Sequence, residues 1–318
     1  MKFKSILALI MAALVCVSLA ACGKAEIPAQ NTQTTVATTA VPQVGEVGTE
    51  LTPQEQLIFA QDGVFNLLML GVDNINDVGA SDTIMLLSID RTNGKLKFIS
   101  FAKDTYVAIP GYGEHQLSAA YSLGGAALTV NTLEHNFGID IERYALLNYY
   151  TFEDIVNIMG GISLDLSEQD VEHINSILRA EGGTTVTAQS GKIKLNGKQA
   201  LAYIRTRGGK DSADADITRT QRQRAFMMEV TKVLSVVSAT QLLELAKDVM
   251  PYVNTDITND ELNALLKGVR SYLTYTQADM VVPAQGKGTY VETEKGTMLE
   301  INDWATTRTN LKMFIYEE

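Results

Sequence analysis

The sequence predicts an α/β fold of layered sheet and helices, and three observations carry that expectation. Short apolar runs ending in Asp or Gly recur along the chain, stretches with apolar residues at helical spacing alternate with them, and the composition is that of a chain with a core to bury. Hydrophobic residues make up 46%, aromatic residues 7% and charged residues 20% of the 318 positions, which excludes wholesale disorder, a collagen-like fibre and a coiled coil. Setting aside the first sixty or so residues leaves about 258, enough for one large α/β domain.

Taken in order, FNLLMLGVD (65–73), TIMLLSID (83–90) and LKFISFAKD (96–104) read as buried strands, with Asn93-Gly94 turning the second into the third as a hairpin. YSLGGAALTVNTLEHNFG then supplies a helix, with Leu128, Leu133 and Phe137 at helical spacing and Gly138 just past its end. YALLNYYTF reads as another strand. Helices are expected at about 152–159 and, after Ser167, at about 168–181, with GISLDL as a strand between them. NGKQALAYIRTR predicts a short helix running into an extended arm, followed by the Gly- and Asp-rich loop GGKDSADAD and a long helix over about 218–237. Two further helices, 239–250 and 258–273, come next, the second opened by a capping box of Thr258 and Glu261. DMVVPAQGKGTYVETEKGTMLEIN reads as strands with turns, and 303–315 as a closing helix.

The beginning of the chain carries an export signal. Lys2 and Lys4 precede the apolar run ILALIMAALVCVSLA, about fifteen residues, which is short for a membrane span and matches the h-region of a signal peptide. The run ends in Leu19-Ala20-Ala21-Cys22, which resembles a bacterial lipobox, where the Cys22 thiol would carry the lipid. Residues 1–21 are therefore expected to be a lipoprotein signal peptide, and 22–60, rich in Thr, Ala, Gln, Val and Pro, a flexible tether. Residues 61–318 are then the folded domain, anchored through Cys22 on the extracytoplasmic face of the membrane. Cys16 leaves with the signal, so neither an internal disulfide nor a zinc–cysteine site is expected. With 26 Lys and Arg against 37 Asp and Glu the net charge is -11, which repels a phosphate backbone and argues against nucleic acid as a partner.

Familiar catalytic templates are missing from the sequence: it has no GxSxG, no HExxH, no GxxxxGK and no GxGxxG after a strand. His115, His135 and His173 lie in unrelated settings and are given no role. Two groups of residues remain. Asp73 ends the first strand and Asp82 opens the second, an arrangement able to hold an oxygen-loving cation such as Mg2+ at one sheet edge. The alternative, two solvated turn carboxylates, is the commoner outcome for Asp at strand ends. Arg205 and Arg207 are two apart on an extended arm, and Arg219, Arg222 and Gln223 fall at i, i+3 and i+4 on the following helix. Such an arrangement would offer guanidinium forks to an anion at a helix N-terminus. Its alternative is a surface patch neutralised by Asp211, Asp214 and Asp216. Carboxylates on a metal together with arginines on an anion are the equipment of phosphoryl transfer.

Over roughly 64–318 the chain resembles the LytR-CpsA-Psr family of bacterial cell-envelope proteins. The stretches that carry the resemblance are FNLLMLGVDN, SDTIMLLSID, FISFAKDTYVAIPGYGEHQLSAAYSLGG, FGIDIERYALLNYYTFEDIVNIMGGISLDL, LNGKQALAYIRTRGG and DADITRTQRQR. The resemblance implies an α/β/α sandwich with a central mixed β-sheet and a hydrophobic pocket for a polyprenyl chain. It also implies a phosphotransferase that moves a glycopolymer, such as teichoic acid or capsule, from a polyprenyl-pyrophosphate carrier onto peptidoglycan with Mg2+. By position it assigns Asp73 and Asp82 to the metal, with Asp82 also the catalytic carboxylate. Arg205, Arg207, Arg219 and Gln223 are assigned to the pyrophosphate, where Arg222 and Lys103 join them, and Arg205 and Arg207 are also expected to be catalytic, stabilising the charge on the departing polyprenyl phosphate.

Three features depart from the family pattern. Lys103 stands where an Arg is usual, Ala80 where another Arg is common, and a lipobox where a transmembrane helix is common. Two rival readings share these residues: a pyrophosphatase that transfers to water, and a module that binds the lipid-linked polymer without turning it over.

Overall fold

A computed structural model describes residues 63–72, 79–206, 212–236 and 248–317. Its centre is a six-stranded mixed sheet built on β1 (Val64–Val72), β2 (Ser81–Asp90) and β3 (Lys95–Phe101). All three strands are buried on both faces but for the first residue of β3, which explains their near-continuous apolar runs. β1 is antiparallel to β2 and β2 to β3. The turn between β2 and β3 is closed at Gly94, whose φ of 62° suits glycine, while the Asp90 carboxylate accepts hydrogen bonds from the Asn93 backbone and side-chain nitrogens.

After β3 the chain makes a small hairpin, β4 (Tyr106–Ile109) and β5 (Gly113–Gln116), absent from the sequence-based expectation. Helix α1 (Ala119–Phe137) follows and ends on Gly138 in the left-handed conformation. It is not continuous: Gly125, with φ 67° and ψ -162°, adopts a backbone conformation nearly reserved for glycine and breaks the helix. β6 (Arg143–Asn148) pairs in parallel with β1, and α2 (Tyr149–Ile158) leaves it at once. The expected strand through YYTF is therefore corrected. Asn148 caps the Thr151 amide and Thr151 caps back, so this capping box starts a helix in a stretch whose aromatic residues favour strand.

β7 (Ile162–Leu166), α3 (Glu168–Ala180), β8 (Gly191–Leu195) and α4 (Gly197–Arg205) come next, β7 and β8 forming a hairpin. Helix α5 (Ser212–Ser235) starts six residues before the expected 218, so part of the anticipated Gly- and Asp-rich loop is helical. Most of the expected 239–250 helix lies outside the described residues. The chain then forms β9 (Asn254–Thr255), α6 (Asn259–Tyr272) and β10 (Thr276–Val282), followed by the hairpin of β11 (Gly288–Thr293) and β12 (Gly296–Ile301), and α7 (Trp304–Tyr316).

The sheet order is β10-β3-β2-β1-β6-β9, with β10 parallel to β3 and β9 antiparallel to β6. One face is covered by α2 to α6, through Phe152, Ile155, Ile174, Leu201, Phe226 and Leu265. The other is covered by α1, α7 and the β4 strand, through Val107, Leu133, Phe137, Leu311 and Ile315. This is the expected α/β/α sandwich with a central mixed β-sheet.

Candidate functional site

β1 and β6 run parallel and stop at the same level, Val72 beside Asn148, so their carboxyl ends open together at one edge of the sheet. In open α/β sheets this is where ligands bind. The amino end of β2 lies against the same edge. There the ladder slips: Gly71 pairs with Thr83 and Val72 with Ser81, so Asp82 is skipped and stands as a bulge residue. A bulge re-aims the side chain it carries, and bulges gather beside active sites.

Asp82 is 7% exposed, and the Lys103 ammonium donates to its Oδ1 at 2.8 Å. Lys103 reaches it from just past β3. Its carbonyl accepts from the Ser118 amide at 2.9 Å, and the Ser118 carbonyl accepts from the Ser81 amide at 3.3 Å. The backbone on both sides of the ion pair is thereby stitched together.

Helix α5 approaches the same strand end from the opposite face of the sheet. The Gln223 amide Nε2 donates to the Thr83 hydroxyl at 3.0 Å, which fixes it one residue from Asp82. Arg219 lies one turn earlier on the same stripe of the helix and is buried. Arg222 is turned about 100° from Gln223 and leaves in another direction. It donates to Asp170 Oδ1 through Nε and Nη2 at 3.1 and 2.9 Å, and to the Thr206 carbonyl through Nη1 at 3.2 Å. Burial pushes the Asp170 carboxyl up, but hydrogen bonds from Ser167 and Arg222 outweigh it and leave the group below its ordinary range.

Arg205 ends α4 and pairs with Glu181 at 2.5 Å, beyond the C-terminus of α3, whereas Asp170 sits in the first turn of that helix. The structure therefore gathers Asp82, Lys103 and Gln223 at the strand edge, with buried Arg219 one helical turn from Gln223. Arg222 and Arg205 are paired instead with acids at the two ends of α3, while Arg222 also reaches the carbonyl of Thr206, the residue after Arg205. Asp73, Arg207 and Cys22 lie outside the described residues. Among the described residues no group of three or more His, Cys, Asp or Glu is placed to hold a metal.

Sequence reasoning missed Thr83, Ser118 and the bulge. A polar triplet, Ser81-Asp82-Thr83, opening an otherwise apolar strand was the available signal for the first and last. Ser118 is tied in only by tertiary backbone bonds and left no local trace.

Comparison with known proteins identifies the relatives of this fold. A teichoic acid transferase of Oceanobacillus iheyensis, the polyisoprenyl-teichoic acid–peptidoglycan teichoic acid transferase TagU, is 34% identical over 233 residues, 69% of this chain and 68% of its own. The TagU of Enterococcus faecalis is 32% identical over 230 residues, 70% of this chain and 71% of its own. The fold matches that of YwtF (TagT) from Bacillus subtilis, solved with bound octaprenyl pyrophosphate lipid, with a TM-score of 0.62 at 21% identity over 90% of this chain and 99% of that one. The model of the LytR_cpsA_psr family matches residues 26–312, and the chain belongs to that family.

Proposed function

We propose that this chain is a cell-wall glycopolymer phosphotransferase that moves a glycan phosphate from a polyprenyl-pyrophosphate carrier onto peptidoglycan. The observation that carries the reading is Asp82, set on a bulge at the carboxyl ends of β1 and β6 and ion-paired with Lys103. The names of the TagU relatives and the lipid bound to YwtF support the substrate classes.

In this reading an acceptor hydroxyl attacks the glycan-linked phosphorus. A new P–O bond forms as the bond to the bridging pyrophosphate oxygen breaks, polyprenyl phosphate leaves, and the hydroxyl proton passes to the Asp82 carboxylate. Lys103 and Arg219 offset the charge that gathers on the phosphates, and Gln223 orients the Thr83 side of the site. Arg205, joined by Arg207 through its place in the sequence, binds the pyrophosphate by exchanging Glu181 for phosphate oxygens. Giving up a half-exposed ion pair of this kind costs about 0–1 kcal/mol. Arg222, engaged by Asp170, holds the α4–α5 connection in place and contributes long-range positive charge.

Asp82 and Asp73 are the carboxylates suited to Mg2+, an ion held through one or two carboxylates plus substrate phosphate oxygens. When bound, it would supply Lewis-acid neutralisation of the pyrophosphate. A lipid on Cys22 and the 22–60 tether would keep the domain on the outer membrane face, within reach of the carrier.

The test combines the full-length chain with Mg2+, a synthetic polyprenyl-pyrophosphoryl sugar and a peptidoglycan fragment, and reads the products by mass spectrometry. Phosphodiester-linked sugar on the fragment is expected, and Asp82→Asn should slow its formation about 10²- to 10³-fold. Free sugar phosphate would instead establish a pyrophosphatase, and intact donor bound to the protein a binding module.

A further inference from the structure

Tyr150 is 75% exposed, the large aromatic side chain most open to solvent among the described residues. Its place is set by the sheet. β6 ends at Asn148, level with Val72, and Val72 pairs with Ser81, so Asn148, Val72 and Ser81 form a row across the edge that carries Asp82. The Asn148–Thr151 capping box starts α2 there, and Tyr150 falls in its first turn. Side chains on a helix tilt toward its N-terminus, so the Tyr150 ring projects over the strand edge instead of back along the sheet.

The fold does not account for this ring. The core face of α2 is made by Phe152, Ile155 and Val156, while Tyr150 shares the outer face with exposed Asp154 and Asn157. Tyr is also a mediocre helix former, so helix propensity does not favour it there. A rigid aromatic face with a hydroxyl at its tip gives a large contact area at low entropic cost, and it suits the C–H face of a pyranose. A membrane surface fits less well, because interfacial patches pair aromatic residues with Lys and Arg, whereas here the neighbour is Asp154.

We infer that Tyr150 is a specificity-determining residue that stacks on a sugar ring of the peptidoglycan acceptor beside the strand edge that carries Asp82. This inference rests on the transferase reading. It names the acceptor side of the site, at the β6–α2 junction, as distinct from the phosphate side made by Lys103, Arg219 and Gln223.

The experiment uses the full-length chain and an undecorated peptidoglycan fragment, with three readouts: transfer, fragment binding and binding to anionic phospholipid vesicles. In the transfer assay Tyr150→Ala should raise the acceptor KM about five- to tenfold, with kcat and the donor KM within about twofold, and Tyr150→Trp should restore the acceptor KM. In calorimetric titration with the fragment alone, without donor, Tyr150→Ala should weaken Kd by the same factor. Unchanged acceptor KM and Kd in the alanine variant would overturn the inference, as would failure of the wild-type chain to bind the fragment. A loss confined to the binding of anionic phospholipid vesicles would overturn it too, in favour of a membrane contact. Wild-type binding that depends on Tyr150 without any transfer product would leave the inference standing and remove the transferase reading.

Discussion

Two lysine–aspartate pairs stand at opposite ends of the same two strands, about 26 Å apart along β2. At one end Lys103 holds Asp82, at the other Lys97 holds Asp90, and both N–O distances are 2.8 Å. Their surroundings differ. Lys97 and Asp90 are sealed from solvent, and Lys97 also donates to the Ile315 carbonyl at 2.7 Å and pairs with Glu317, while Asp90 accepts two further bonds from Asn93. The Lys103 side chain keeps 18% of its exposure, and its partner stands on a bulge. Identical chemistry thus makes a lock where every valence is filled, and where one side is left open it makes the pair to which we assign the transfer chemistry. Ion-pair geometry alone does not separate the two.

The largest expected effect breaks the lock. Lys97→Ala strands a buried carboxylate and frees the end of α7, and should cost about 3–5 kcal/mol of unfolding free energy in a denaturant titration. A loss below about 1 kcal/mol would place this pair with ordinary surface pairs and dissolve the contrast.

A second experiment uses Glu142, also at the sealed end, where it accepts the Asn66 amide at 2.6 Å. Burial pushes its carboxyl up to about 7, with the Asp140 and Glu134 charges adding to the rise and the Asn66 amide opposing it. Because the folded value lies above the unfolded one, the native state binds the extra proton between about pH 4.5 and 7, and stability falls as pH rises through that window. Glu142→Gln should therefore stabilise the protein by about 1–2 kcal/mol at pH 8, with the gain vanishing below about pH 4.5. A gain that is independent of pH would show that the carboxylate charge is not its source.

The smallest effect sharpens the open end. Lys103→Arg replaces the compact ammonium with a planar fork, and transfer should stay within about threefold of wild type or rise. A loss of tenfold or more would show that the Asp82 site is shaped around an ammonium.

Much of this fold was legible in the residues. The apolar runs of β1 to β3, the Asn93-Gly94 turn, the Ser167 cap of α3 and the Thr258–Glu261 box before α6 are local signals, and each lies where local chemistry puts it. The β6–α2 boundary was not, because Tyr149, Tyr150 and Phe152 favour strand and only the Asn148–Thr151 bonds turn them into helix. Of the site, the residue types were legible but their partners were not. Arg222 and Arg205 share a sequence neighbourhood yet are drawn to Asp170 and Glu181, acids 52 and 24 positions away, and no spacing rule reports such pairings.

The bulge has a consequence for descent. Asp82 is the residue that the β1–β2 ladder skips, so deleting it would restore unbroken pairing and leave every core residue from Thr83 onward on its present face. The carboxylate to which we assign the proton transfer therefore occupies a position that the strand pairing does not need. A lineage in which the reaction lost its value could discard it through the loss of a single codon and inherit the whole scaffold, so folded but silent descendants of such domains are an expected product of their own geometry.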